Sequence, residues 1–283
     1  MTALHYREAY LQGRARLEAA GVPEAELDAR LLLEYVCGTQ RQTMLLKPER
    51  GLTDAEAERY GKAVSERAKR VPLQHITGRQ YFMGLEFLVD ARVLVPRPDT
   101  EILVEEVLKD GANGARVLDL CTGSGCILLS ILKYSVSAEG TGTDLSADAL
   151  RVAEENAKRL QQEAVFYAGD LFAALPGGER GFDIIVSNPP YIEREVIPGL
   201  MPEVREHDPY MALDGGMDGL DFYRSIAKEA PAHFAAEGRL YLETGSTQAA
   251  AVSALLRENG FTGIRIVKDY AGLDRVVCGT YGG

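Results

Sequence analysis

The sequence predicts an α/β protein: a doubly wound, seven-stranded, mostly parallel sheet with an antiparallel edge hairpin, preceded by a small helical bundle and a linking β-hairpin. Three observations carry this. From Ala115 onward, strand-length apolar runs alternate with helix-length amphipathic segments, the order that builds a parallel sheet with helices on both faces. Residues 1–75 carry helix signals only. The last two strand candidates are separated by a short Gly-containing turn, too short for a parallel crossover.

The N-terminal elements come in order. Residues 2–20 form a first amphipathic segment, stopped by Gly21. Pro23 suits a first helical turn, with Glu24 and Glu26 near the positive end of the dipole. Leu27, Leu31 and Val36 mark one stripe of this second helix, and Gly38 ends it. A third short segment covers 40–46, before Pro48. Thr53-Asp54-Ala55-Glu56 is a capping box that opens a fourth helix, running to about Arg70. These residues, 1–75, form a helical domain suited to docking a substrate. In the linking segment 76–95, Tyr81-Phe82-Met83 and Glu86-Phe87-Leu88-Val89 flank Gly84 as a hairpin would. Pro96-Arg97-Pro98-Asp99-Thr100-Glu101 then enters a helix with acids in its first turn, where Asp99 and Glu101 read as helix-end charges.

The main domain spans 96–283. Its strand candidates are 116–120, 140–144, 164–168, 182–188 and 239–243, followed by the hairpin 264–269 and 275–280. Helices fit 127–134, 147–160, 219–235 and 247–259. Residues 193–218 are the exception to short connections, and a loop that long beside a motif is usually functional.

Composition narrows the function. With 46% hydrophobic residues in 283, the chain has ample material for a core. No run approaches the ~20 apolar residues of a membrane helix. No apolar leader stands at the N-terminus, and the four cysteines (Cys37, Cys121, Cys126, Cys278) form no Cys-x-x-Cys pair. A cytoplasmic protein without a metal site is the expectation. The net charge of −11 is uneven: residues 1–80 carry 13 Lys and Arg against 11 Asp and Glu, and residues 81–283 carry 18 against 31. So acidic a main domain is a poor grip for duplex phosphates, and argues for a protein or small-molecule substrate with no direct nucleic-acid contact.

Two motifs carry chemistry. Val117-Leu118-Asp119-Leu120-Cys121-Thr122-Gly123-Ser124-Gly125-Cys126-Ile127 is a strand, a Gly-rich turn and a helix start. Glycines let a backbone approach a ligand closely, and the helix N-terminus offers free N–H groups. Asp144 ends the next strand about 20 residues on, where an acid can accept both hydroxyls of a ribose. Asp170 and Leu171 follow the third strand, where an acid can take an adenine amino group. Each aspartate singly reads as a strand-end cap; all three in step with the sheet read as a nucleoside site, for NAD and S-adenosylmethionine alike. The third glycine of the dinucleotide fingerprint is missing, since position 128 is Leu.

The second motif is Ser187-Asn188-Pro189-Pro190-Tyr191. The apolar run Phe182-Asp183-Ile184-Ile185-Val186 reads as a buried strand, and two prolines must end it. The result is a stiff loop at a strand's carboxyl end. The Asn188 side-chain oxygen and the Pro189 carbonyl can accept the two N–H groups of a planar –NH2, and the Tyr191 ring can stack on its plane.

The pattern resembles the class I S-adenosylmethionine-dependent methyltransferases, and more narrowly the HemK/PrmC family of protein-glutamine N5-methyltransferases. The resemblance covers essentially the whole chain, through Pro-Arg-Pro-Asp-Thr-Glu (96–101), Asp-Leu-Cys-Thr-Gly-Ser-Gly (119–125), Ser-Asn-Pro-Pro-Tyr-Ile (187–192), Asp-Gly-Leu-Asp-Phe-Tyr (218–223) and Asp-Tyr-Ala-Gly-Leu-Asp-Arg (269–275). It implies S-adenosylmethionine held by Cys121, Thr122, Gly123, Ser124, Gly125, Asp144, Asp170, Leu171 and Asn188. Its implied partners are class 1 peptide chain release factors, whose Gly-Gly-Gln glutamine would meet Asn188, Pro189, Pro190 and Tyr191. The sequence departs from the family at Cys121, where many relatives have Gly, and at Leu171, where some carry a larger aromatic. The competing readings are an adenine N6-methyltransferase acting on DNA or RNA, and a non-catalytic cofactor-binding interaction module docking through residues 1–75. An NAD-dependent oxidoreductase comes last.

Overall fold

A computed structural model describes residues 4–282 of the chain. They form two compact units. The first runs to Arg79 and takes in Met201–His207; the second comprises Gln80–Leu200 and the chain from Asp208 onward.

The first unit is helical: α1 (Tyr6–Ala19), α2 (Ala25–Cys37), α3 (Arg41–Leu46), α4 (Asp54–Ala68) and α5 (Leu73–Thr77). Of the first expected segment, Thr2 and Ala3 lie outside the described residues, and the helix starts at Tyr6. The buried stripe of α2 differs from expectation. Ala25, Ala29, Leu32, Leu33 and Val36 face the core, whereas Leu27 is exposed and Leu31 only half-buried. Small alanines complete the true stripe, and a reading keyed to large apolar residues passes over them. The α4 capping box forms as expected: Thr53 Oγ1 accepts from the Glu56 amide, and Glu56 accepts from the Thr53 amide at 2.8 Å. Helix α5 was not anticipated, although Pro72 before it and left-handed Gly78 after it are ordinary helix bounds.

The second unit opens with the hairpin β1 (Arg79–Phe82) and β2 (Leu85–Leu88), turned through Met83 and Gly84, both at positive φ. Then follow α6 (Glu101–Asp110), β3 (Arg116–Leu120), α7 (Cys126–Tyr134), β4 (Glu139–Asp144), α8 (Ala147–Leu160), β5 (Ala164–Ala168) and β6 (Phe182–Ser187). The long connection after β6 holds the one-turn helix α9 (Pro202–Arg205), which belongs to the first unit. The chain ends with α10 (Asp221–Glu229), β7 (Phe234–Glu243), α11 (Ala249–Glu258), β8 (Thr262–Lys268) and β9 (Asp274–Tyr281).

One boundary departs from expectation. The helix expected over 219–235 stops at Glu229, passes through a short 3-10 turn at Ala230–Ala232, and gives way to β7 at Phe234. Pro231 is the cause: it has no N–H to continue the helix. Strand β7 thereby gains five residues at its start over the expected 239–243, and Phe234 pairs with Phe182 of β6.

The sheet order is β5-β4-β3-β6-β7-β9-β8, parallel except where β9 meets β7 and β8. Period-two alternation sorts side chains between two cores. Val117, Ile184, Val186 and Tyr241 face a core built with α6 and α7; Leu118, Leu120, Ile185, Leu240 and Leu242 face one built with α10 and α11. Helix α7 is buried along Cys126–Leu132, and Leu128, Leu129 and Ile131 are fully covered. Each such side chain contributes about 1.5–3 kcal/mol on burial. The chain leaves β3 for β4 and β5 on one side, then returns to β6 on the other. Ligands in open α/β sheets bind beyond the strand ends at such a reversal. Asp119 and Glu243 fall on the α6–α7 face by the same alternation, each at a strand's carboxyl end.

Within the first unit, Glu203 of α9 sits in a fork of guanidinium groups. Arg70 Nε and Nη2 each donate to it at 2.6 Å, and Arg67 Nη2 at 2.9 Å. Arg67 also pairs with buried Asp28 at 2.7 Å. Burial alone would raise the Glu203 carboxyl. The Arg70 bonds, its own backbone amide and Arg67 outweigh that and hold it at about 2. The folded value lies below the ordinary one of 4.5, so the stabilisation is complete above that pH and is lost as pH falls through about 2. Glu203→Gln is therefore expected to cost on the order of 3 kcal/mol at neutral pH. The gap between wild-type and variant urea midpoints should close as the pH is taken from 5 to 2. A gap independent of pH would reject the assignment.

Candidate active site

The carboxyl ends of β3 and β6 are tied directly: Ser187 Oγ donates to the Leu120 carbonyl at 2.7 Å. From Leu120 the chain turns into α7 through three left-handed residues, Cys121 (φ 57°), Gly123 (φ 56°) and Gly125 (φ 77°). Gly125 allows close approach: a Cβ there would lie 3.1 Å from Leu129 and 3.2 Å from Ala153 of α8. At Gly123 a Cβ would meet nothing within 4 Å, so its backbone faces open space. Left-handed backbone costs a non-glycine residue on the order of 1–3 kcal/mol, and both Cys121 and Leu171 (φ 44°) bear it at the site.

Asp144 organises this turn. The Gly123 amide donates to its Oδ2 and the Ser146 amide to its Oδ1, both at 2.8 Å. Burial pushes the Asp144 carboxyl up, against the pull of those two bonds. Each oxygen keeps a further lone pair for a ligand hydroxyl. Behind the turn, the Thr122 hydroxyl donates to Asp119 Oδ2 at 2.6 Å. Asp119 is fully buried, its Oδ1 has no hydrogen-bond partner, and burial pushes its carboxyl up to about 7 against the Thr122 bond. Burial likewise pushes the Cys121 thiol up and the Cys126 thiol to about 12.

Cys121, Gly123, Asp144, Asp170, Leu171 and Asn188 line one cavity of about 510 Å³, together with Pro190. Its far side is built from the long connection, including Arg194 and Asp214, and from α10. That connection is ordered by a bridge between Ile192 and Asp214 and by an ion pair from Arg194 Nε to Asp214 at 3.0 Å.

Five expected residues stand behind this wall. Thr122 and Ser124 are buried, with Thr122 spent on Asp119 and the Ser124 carbonyl on Asn156. Gly125 caps α7. Pro189 is buried. Tyr191 is partly buried against the α10–α11 core, its carbonyl accepts from Gln248 Nε2 at 2.9 Å, and its hydroxyl helps pull the Glu243 carboxyl down against burial. The Tyr191 ring is half-buried against that core and is not among the residues that line the cavity.

Residues 8–78 match the PrmC N-terminal domain model, and residues 98–200 match the methyltransferase small domain model. The release factor glutamine methyltransferase of Agrobacterium fabrum is 42% identical over 275 residues, covering 94% of each chain. The chain belongs to the release factor glutamine methyltransferase family. Two solved structures share the fold. One is a methyltransferase from Pyrococcus furiosus (TM-score 0.57, 18% identity, 77% of this chain and 99% of that one). The other is the Thermus thermophilus 16S rRNA N2 G1207 methyltransferase in complex with AdoMet and guanosine (TM-score 0.53, 20% identity, 72% and 49%). No helix among the described residues is long and apolar enough to cross a membrane.

In this member of the family, sequence reasoning missed the groups that surround Asn188. Asn188 Nδ2 donates to Thr100 Oγ1 at 3.3 Å. Asp99 lies 3.4 Å from Arg275, and Glu101 accepts from the Met83 amide, so neither is merely a helix-end charge. The signal was the Pro-Arg-Pro-Asp-Thr-Glu stretch itself, whose residues are spent on distant elements.

Proposed function

We propose that this chain transfers a methyl group from S-adenosylmethionine to the side-chain nitrogen of the glutamine in the Gly-Gly-Gln motif of class 1 peptide chain release factors. The observation that carries the reading is that Asn188 shares a cavity with Cys121, Gly123 and Asp144, in a chain of this family. The cavity suits the cofactor. It has an open backbone cradle at Gly123, a carboxylate at Asp144 with unused lone pairs, and Asp170 and Leu171 on its wall. The AdoMet carried by the rRNA methyltransferase of the same fold supports the choice.

When bound, S-adenosylmethionine supplies an electrophilic methyl on a positively charged sulfur. The residues of this chain do the rest. An amide nitrogen is a poor nucleophile because its lone pair is delocalised into the carbonyl. Asn188 Oδ1, on the cavity wall, accepts an N–H of the substrate amide, which orients the nitrogen and stabilises the positive charge that grows on it. This is oxyanion-hole logic with the sign reversed. The methylated, cationic nitrogen is strongly acidic and sheds its proton without a buried base. Residues 1–75 serve as the docking unit for the release factor, and the reaction belongs to the cytoplasm, where translation ends.

Mass spectrometry of a class 1 release factor incubated with the protein and S-adenosylmethionine tests this. One methyl on the Gly-Gly-Gln glutamine is expected. Labelled methyl on DNA or ribosomal RNA, with none on the release factor, would overturn it in favour of adenine methylation.

A further inference from the structure

Asn188 can help only if its oxygen, and not its NH2 group, faces the substrate. An Asn amide is nearly symmetric in shape, so something must choose. The choice is legible behind the loop. Thr100 stands at the N-terminus of α6, where a threonine ordinarily caps its helix, yet its hydroxyl makes no capping bond and is 2% exposed. It accepts instead from Asn188 Nδ2. Beside it lies the carboxyl of Glu243, which is 1% exposed at the end of β7 and which the Thr100 and Tyr191 hydroxyls both pull down against burial. Glu243 is held in turn, its main-chain carbonyl accepting from Tyr223 Oη at 2.8 Å. Its Oε2 has no hydrogen-bond partner, so the carboxyl has acceptor capacity to spare.

Resting on the function proposed above, we propose that Thr100 and Glu243 are positioning residues for methyl transfer, a two-bond relay that locks the Asn188 amide with Oδ1 toward the cavity. The logic is one of donor count. An ionised carboxylate only accepts, so it claims the Thr100 hydrogen and leaves the Thr100 oxygen as an acceptor. An acceptor at that place selects the NH2 end of Asn188. Were the amide reversed, two oxygens would face each other with no hydrogen between them. Burial raises the Glu243 carboxyl to about 7, partly opposed by the Thr100 bond and by Arg275. The ionised, orienting form is therefore the main one at pH 8.5. Arg275 is itself braced by Asp269 at 3.0 Å and Asp99 at 3.4 Å. The 96–101 stretch thus holds the catalytic asparagine from behind.

The test compares Thr100→Val, Thr100→Ser and Glu243→Gln in the full chain at pH 8.5, with release factor and saturating cofactor. Thr100→Val keeps the volume and loses the hydroxyl; kcat should fall roughly ten- to hundredfold, as for a misplaced catalytic group. Thr100→Ser should stay within about twofold of wild type, and Glu243→Gln should fall between, with cofactor affinity unchanged in all three. The discriminating readout is a cycle with Asn188→Ala. In that background Thr100→Val should add nothing further, whereas a merely structural role would multiply. A second readout needs no turnover: the Asn188 side-chain NH2 resonances in cofactor-bound protein should show one slowly exchanging hydrogen that Thr100→Val releases. Wild-type kcat in Thr100→Val, multiplicative losses in the cycle, or an unmoved NH2 signature would each overturn the relay. A protein inert towards release factor whose NH2 signature responds as described would sustain the relay and sink the substrate assignment alone.

Discussion

Asn188→Ala is expected to lower kcat by ~10²–10³, the loss seen when a single oxyanion-hole donor is removed. The interaction lost is one that strengthens as charge develops on the nucleophile, so it acts on the transition state more than on substrate binding. KM should therefore change little. Cofactor affinity should also hold, because the carboxylate at Asp144 and the Gly123 turn do not depend on the Asn188 side chain. Single-turnover kinetics with saturating cofactor give the chemical step directly, and near-wild-type turnover would refute the role. Asn188→Asp is the sharper variant. It keeps an acceptor, but it loses the NH2 that Thr100 receives and sets a second carboxyl behind the loop, near Glu243. It should be impaired as well, which a reading of Asn188 as a plain acceptor does not predict.

The other large effect is expected at Asp144. Asp144→Ala should weaken cofactor binding by roughly ten- to a hundredfold, the value of a hydrogen bond to a charged group at about 1.5–3 kcal/mol. It should also destabilise the protein without ligand. The half-buried Gly123 and Ser146 amides both donate to this carboxylate, and a hydrogen bond to a charged group contributes about 1.5–3 kcal/mol. Asp144→Asn separates the two effects. Its single oxygen can serve only one of the two amides, so stability should fall by less than in Asp144→Ala while the charge is gone in both. Calorimetry with the cofactor and urea unfolding without it give the two quantities. Unchanged cofactor affinity in Asp144→Ala would count against the assignment.

Much of the fold was legible because its elements are written locally. Glycines 123 and 125 stand where the backbone turns left-handed, Thr53 and Glu56 cap α4, and the prolines at 189 and 190 end β6. The errors were local too. Pro231 went unread inside an expected helix, and the alanines of α2 were passed over in favour of an exposed Leu27 and a half-buried Leu31.

The sequence by itself determined the sheet's alternating order and the two loops at strand ends. Those follow from side-chain period and from the two residues, Gly and Pro, whose backbone preferences need no neighbours. It also held the family pattern, spread over the chain's full length. Only tertiary structure decided which loop residues face the cavity and which turn their backs to it. Thr122 and Tyr191 turn inward because a buried hydroxyl must find a partner, Thr122 at Asp119 of β3 and Tyr191 beside Glu243 of β7, and Ser124 is buried with them. The partner of Asn188 is Thr100, just ahead of α6 and 88 positions away, and no local pattern registers a hydrogen bond made at that distance.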